Sequence, residues 1–251
     1  MTLYYQQNPE AKIFYGKGLV MGGSISTFSD NSNTLIGDVS GHLLTHFPKV
    51  GKPFYVPDFQ TALMPNWDEK IEKMANILTT TDLRMLAGVP TWTLVLLKRI
   101  MELTQKSDLS ELWKNLEVYV HGGVSFVPYF DQFRSIISSK SMQYMEIYNA
   151  SEGFFAIQND LNSNDMLLLL DNGIYYEFLP ASEWNKENPN IISLSEVKCG
   201  VNYAIVITTN GGLWRYMPGD TVVFTSTNPY KIKVSGRTKQ YVNAFGEEVM
   251  V

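Results

Sequence analysis

Apolar and polar positions follow two regimes along the chain. From Trp67 onward, Ile71, Met74, Ala75 and Leu78 share one helical face with it, while Asp68, Glu69, Lys70, Glu72 and Lys73 fall off that face. Residues 83–89 predict a short buried strand. Pro90 stands where a first helical turn tolerates it, ahead of Leu94, Leu97, Ile100 and Met101. Asp108 and Glu111 have capping-box spacing before Leu112 and Trp113. Residues 116–120 predict a strand ending at Gly122-Gly123, residues 128–138 a helix and residues 143–148 another strand. Helices set between strands predict a parallel sheet with crossovers.

After Gly153 the period shortens. Strands are predicted at 154–158, 166–170, 174–179, 203–209, 213–216, 221–225 and 231–234, punctuated by Asp171-Asn172-Gly173, Asn210-Gly211-Gly212 and Pro218-Gly219-Asp220. The fold class is therefore α/β: a parallel sheet with crossover helices over 1–153, then an antiparallel, barrel-like β subdomain over 154–236. The last stretch stops inside the apolar run Val249-Met250-Val251. An isolated hairpin is only marginally stable, so the chain is expected to be part of a longer one.

Composition narrows the function classes. With 45% hydrophobic and 18% charged residues, the chain is globular rather than disordered. Twenty basic against 25 acidic residues, a net charge of −5, argue against a nucleic-acid partner. A single cysteine, Cys199, cannot form an intrachain disulfide and fits a reducing cytoplasm. The best apolar run, 166–170, is strand-sized, and residues 1–12 do not read as a signal peptide, so no membrane role is expected.

Three segments carry candidate chemistry, each after a predicted strand. In His121-Gly122-Gly123-Val124-Ser125 the paired glycines would let backbone approach a flat ligand; an ordinary strand-to-helix turn explains them as well. Tyr148-Asn149-Ala150-Ser151-Glu152-Gly153 gathers an aromatic ring, a hydroxyl for a phosphate oxygen and a carboxylate suited to Mg²⁺; the alternative is a capping box with Asn149 as cap. In Trp214-Arg215-Tyr216-Met217-Pro218-Gly219-Asp220, followed by Ser235-Gly236-Arg237-Thr238-Lys239, an aspartate could accept from vicinal ribose hydroxyls and an arginine could donate to ribose or phosphate; two plain turns are the alternative. His42 and His46 lack a third ligand for zinc, no GxxxxGK[ST] or GxGxxG loop occurs, and no serine has a G-x-S-x-G setting.

In this order, and with Gly18-Leu19-Val20-Met21-Gly22-Gly23-Ser24, Gly88-Val89-Pro90-Thr91-Trp92 and Asn243-Ala244-Phe245-Gly246-Glu247-Glu248, these segments resemble the bacterial branch of the auxin-responsive acyl-acid amido synthetase family, within the adenylate-forming (ANL) superfamily. The resemblance implies a chemistry. ATP with Mg²⁺ activates a small carboxylic acid as an acyl-adenylate, and an amino acid amine then takes the acyl group. It also implies roles: Tyr148 stacking on adenine; Gly122, Gly123 and Val124 lining it; Ser151 touching the α-phosphate; Glu152 holding Mg²⁺; Asp220, supported by Tyr216, gripping the ribose; Arg237 on the ribose or phosphate side; and Lys239 at the hinge of a C-terminal lid that begins within 237–251. Met21, Val89, Trp92 and Phe126 would line the acyl pocket, although buried packing explains them equally well.

The chain departs from the family pattern in two places. Tyr216-Met217-Pro218-Gly219-Asp220 has Met217 where the family has arginine in Tyr-Arg-x-Gly-Asp. The family's Ser/Thr/Gly-rich phosphate loop and the rest of its lid are absent from the sequence. The expectation is a fragment carrying the adenosine and acyl subsites, inactive or nearly so alone and prone to self-association. The alternatives are a non-catalytic nucleotide- or acid-binding remnant and a thioester-forming ligase.

Overall fold

Parallel neighbours cannot be joined by a tight turn, and the first half of the chain supplies the longer connections with helices. The computed structural model describes residues 2–28, 31–238, 241–244 and 247–250. It divides into two units, Met1–Met145 and Glu146–Val251. The first runs α1 (Thr2–Gln7), β1 (Lys17–Val20), β2 (Ile25–Phe28), β3 (Asn31–Gly37), α2 (Val39–Thr45), β4 (Tyr55–Val56), α3 (Phe59–Ala62), α4 (Trp67–Leu78), β5 (Leu83–Gly88), α5 (Pro90–Thr104), β6 (Val118–His121) and α6 (Phe130–Ile136). Strands β4, β1, β5 and β6 pair in that order, all parallel, as the periodicity predicts. The β2–β3 hairpin pairs separately and antiparallel.

Helix α4 forms where its polar–apolar period says it should. The Asn66 side chain accepts from the Glu69 N–H at 3.1 Å and caps the first turn, and Asp68 and Glu69 suit the positive end of the helix dipole. Ile71, Met74, Ala75 and Leu78 share a core with Leu94, Leu97 and Ile100 of α5. The Trp113 indole donates to the Leu78 carbonyl at 3.1 Å, satisfying an end of α4 that packing would otherwise strand.

Lys70 corrects the helical-face reading. It is fully buried, its ammonium donating to the Gly22 carbonyl at 2.7 Å and the Gly23 carbonyl at 3.3 Å and lying 4.9 Å from the Trp67 ring centroid. Two carbonyls and a π face replace the water that an off-face position promised. The same loop is held by Ser40, which accepts from the Gly23 N–H, and by Asp38, which accepts from the Ser24 N–H. Burial pushes the Lys70 ammonium down to about 8, against an opposing pull from Asp38. Between that value and the ordinary 10.5 the unfolded chain binds more protons than the folded one, so stability rises with pH across this window. Relative to Lys70→Met, the wild type should gain on the order of 2 kcal/mol between pH 8 and pH 10.5 in urea titrations. A pH-independent difference would exclude the buried-ammonium account.

Strand β7 (Gln143–Ala150) leads into the second unit, which continues with β8 (Gly153–Ile157), β9 (Met166–Leu168), β10 (Ile174–Pro180), β11 (Ile192–Ser193), β12 (Asn202–Thr209), β13 (Asp220–Thr227), β14 (Tyr230–Arg237), β15 (Tyr241–Ala244) and β16 (Glu247–Met250). Neighbours β11-β10-β12-β13-β14-β9-β8-β7 are all antiparallel, and β15 pairs with β16. Phe155, Tyr176, Phe178, Tyr203 and Phe224 fill the core of this unit. The fold class expected from the sequence is met: parallel α/β first, antiparallel β after.

One predicted strand is absent. Residues 213–216 make a single bridge, Tyr216 opposite Ile207 with both N–H···O distances 2.8 Å. Arg215 takes a left-handed backbone (φ 45°), and Trp214 is 82% exposed. The aromatic alternation there has no buried face to serve.

Candidate functional site

Tyr148 stands near the end of β7 and Asp220 and Arg237 at facing ends of β13 and β14, where they are direct cross-strand partners. The Tyr148 hydroxyl donates to Asp220 Oδ2 at 2.7 Å, and an Arg237 guanidinium N–H donates to Asp220 Oδ1 at 2.5 Å. Tyr148 and Asp220 are buried, and Arg237 is half-buried. The Tyr148 ring packs against Phe155 with centroids 4.9 Å apart. Burial, and then the negative charge and hydrogen bond of Asp220, push the Tyr148 phenol well above its ordinary range, so it is a donor at any working pH. An ionised carboxylate has about four acceptor sites, and these two bonds use two of them.

Ser151 and Glu152 form the two-residue turn of the β7–β8 hairpin, between Ala150 and its partner Gly153. This rules out Asn149 as a helix cap, since it remains within β7 and pairs with Phe154. Ser151 is exposed and Glu152 half-buried, both presented at a tight turn. Among the described residues no group of three or more His, Cys, Asp or Glu side chains could hold a metal ion. A lone carboxylate still suits Mg²⁺, which keeps several waters and takes other oxygens from phosphates. Tyr216 is half exposed on the connection that enters β13 at Asp220.

The remaining candidates lie in the first unit. Gly122, Gly123 and Val124 form the loop after β6, and Gly123 has φ 83°. A Cβ built there would come within 3.2 Å of Val89 Cγ2, so this glycine keeps the two loops close. A Cβ on Gly88 would lie 2.5 Å from Met21 Cβ, which makes the β1 and β5 ends direct neighbours. Trp92 packs edge-on against Trp67, with centroids 4.4 Å apart. Phe126 is buried with Tyr119, His121, Phe133 and Tyr144 around it. Lys239, Phe245 and Gly246 lie outside the described residues. The burial of Lys70 and of the His121 ring leaves no mark in the local sequence pattern.

The fold is that of a solved acyl acid amido synthetase and of a solved CoA ligase. A solved GH3.15 acyl acid amido synthetase matches with a TM-score of 0.72 at 14% identity, covering 99% of this chain and 52% of that one. A 2-hydroxyisobutyryl-CoA ligase, in complex with 2-HIB-AMP and CoA, matches with a TM-score of 0.60 at 15% identity, covering 99% and 50%. The chain belongs to the GH3 family: the family's N-terminal domain matches residues 12–142 and its central domain residues 167–237. Indole-3-acetic acid-amido synthetase GH3.4 of Arabidopsis thaliana is 31% identical over 129 residues, which cover 47% of this chain and 21% of that protein. The chain thus spans about half the length of the solved relatives it matches, and its alignment reaches about a fifth of the curated one.

Proposed function

We infer that this chain carries the adenosine and acyl subsites of an ATP-dependent acyl acid amido synthetase. The observation that carries the reading is the Tyr148–Asp220–Arg237 cluster in a chain of this family. Asp220 would accept from the two vicinal ribose hydroxyls with its remaining lone pairs, with Tyr216 beside it and Arg237 turned to the ribose or phosphate. Gly122, Gly123 and Val124 would line the adenine, and Ser151 would donate to the α-phosphate. Glu152 would hold Mg²⁺, whose charge when bound offsets that of the phosphates. Met21, Val89, Trp92 and Phe126 would face the acyl group.

In the first half-reaction a carboxylate oxygen bonds to the α-phosphorus and the bond to pyrophosphate breaks. The acid is already ionised at pH 7, so this step rests on positioning and on neutralising charge. In the second, an amino acid nitrogen attacks the acyl carbon, AMP leaves and the amine gives up a proton. Family membership favours an amine over a thiol as acceptor. The hinge at 237–251, with Lys239, and the β subdomain at 154–236 keep their places in this reading. A cytoplasmic home is part of it, supported by the single cysteine; no helix among the described residues is long and apolar enough to cross a membrane. Self-association is part of the same reading, and sedimentation would register it.

Calorimetry with AMP and ATP on this chain tests the binding half. Acid-dependent ATP–pyrophosphate exchange, in a polypeptide extended on both sides to the length of the solved relatives, tests the chemistry. Failure to bind AMP, or an extended protein inert with a broad acid panel, would sink the reading. Tyr148→Phe separates two roles for that ring. If the phenol works by orienting Asp220, removing its hydroxyl should weaken AMP binding about tenfold, the worth of one bond to a charged group. Unchanged affinity in Tyr148→Phe would assign it to stacking alone.

A further inference from the structure

The ladder between β13 and β14 changes register twice, and each change leaves one residue unpaired. From the turn it pairs Thr227 with Tyr230 and Ser226 with Lys231, skips Thr225, and resumes with Phe224 opposite Ile232. It continues to Val222 opposite Val234, skips Ser235, and closes with Thr221 opposite Gly236 and Asp220 opposite Arg237. The first skipped residue belongs to β13 and the second to β14, so the two offsets cancel. With the offset at Thr225 alone, Asp220 would face Gly236 and Arg237 would fall opposite Gly219. Given that first offset, the cation meets the carboxylate because Ser235 is left out of the ladder. Bulges of this kind re-aim side chains beside binding sites.

Each skipped residue is tied down through its side chain. The Thr225 hydroxyl donates to Asp165 Oδ2 at 2.8 Å, and Asp165 also accepts from the Ser163 hydroxyl at 2.7 Å and the Lys231 ammonium at 3.2 Å. The Ser235 hydroxyl donates to Asn202 Oδ1 at 2.7 Å and lies 3.0 Å from the Thr221 hydroxyl. Asn202 stands in β12, opposite Val223 of β13, so this clasp joins three strands. Gly236, the next residue, has φ 149°, a backbone that a side chain would resist, and this fixes the kink at one place. Ser235 is exposed and Thr221 is 2% exposed. Water could satisfy an exposed serine hydroxyl at little net cost. Water cannot hold the extra residue at one point of the strand, and the bond to Asn202 does.

Building on the adenosine-site reading, we propose that Ser235 and Asn202 are positioning residues, whose clasp locks the β14 bulge and so sets Arg237 opposite Asp220 for the nucleotide. The test follows the Nε–H resonance of Arg237 by NMR and AMP affinity by calorimetry, both on this chain. Asp220→Asn supplies the reference position of a guanidinium that has lost this carboxylate. Ser235→Ala and Asn202→Ala should each move the resonance toward that reference and weaken AMP binding about fivefold, the worth of one neutral hydrogen bond. Ser235→Thr keeps the hydroxyl and Asn202→Asp keeps an acceptor oxygen, so both should hold the resonance and the affinity near wild type. A merely structural loss would lower the denaturation midpoint and leave the Arg237 resonance in place. A resonance unmoved by both alanine variants, or conservative variants as impaired as the alanines, overturns the proposal. Absent AMP binding by the wild type sinks the proposed function, and the resonance still decides this inference. AMP binding with an unmoved resonance sinks this inference alone.

Discussion

Asp220→Ala should weaken AMP binding at least a hundredfold and destabilise the second unit by about 2–3 kcal/mol. The stability loss has a named source. Without the carboxylate, the Tyr148 hydroxyl loses its acceptor and the half-buried Arg237 guanidinium loses this ion pair. Breaking a buried pair by deleting one member costs about 3–5 kcal/mol, and the partial exposure of Arg237 lowers that figure. The binding loss has a different source, the two acceptor positions that the ribose hydroxyls would use. Asp220→Asn keeps the shape and discards the charge, so it should recover part of the stability and little of the affinity. Chemical denaturation and calorimetry on both variants would check this. An alanine variant that binds AMP as the wild type does would remove Asp220 from the site.

The second large effect is acid lability. Burial holds the His121 imidazole near 3, against 6.5 in an unfolded chain. Between these values the unfolded chain binds the extra proton, so stability present above pH 6.5 is lost as pH falls toward 3. Down to pH 4 the loss attributable to this one ring is on the order of 3 kcal/mol. His121→Asn carries no titratable ring. Its stability should fall less steeply over the same range in parallel urea titrations, and identical slopes would show that His121 is not held neutral by the fold.

The parts of the fold legible in the sequence are those that bury a periodic face. Helices α4 and α5 and strands β5 and β6 each carry an apolar set at the right spacing, and tertiary packing uses that set as written. The β2–β3 hairpin went unread because it buries little: Ile25 is half-buried and Ser26, Thr27 and Phe28 are exposed, so no alternation records it. At 213–216 the reverse holds, since alternation is present but a left-handed Arg215 and flanking turns limit pairing to the one Tyr216–Ile207 bridge. Charge alone sends Lys70 to solvent, and the approach of the Gly22 and Gly23 carbonyls, with the Trp67 ring beside them, makes its burial tolerable. The candidate site was nominated by the order of its segments. The Tyr148–Asp220 bond spans 72 residues and depends on how strands align, which no local pattern encodes.

That alignment is itself protected. Asp220 faces Arg237 across β13 and β14, with an irregularity in the ladder just beyond, at Thr221 and Val222. A one-residue slip would turn alternate side chains to the opposite side and strand the aspartate without its cation. The ionic contact therefore favours one pairing of the ribbon: it is a stabilisation that the native register holds and a slipped one lacks, with or without a ligand.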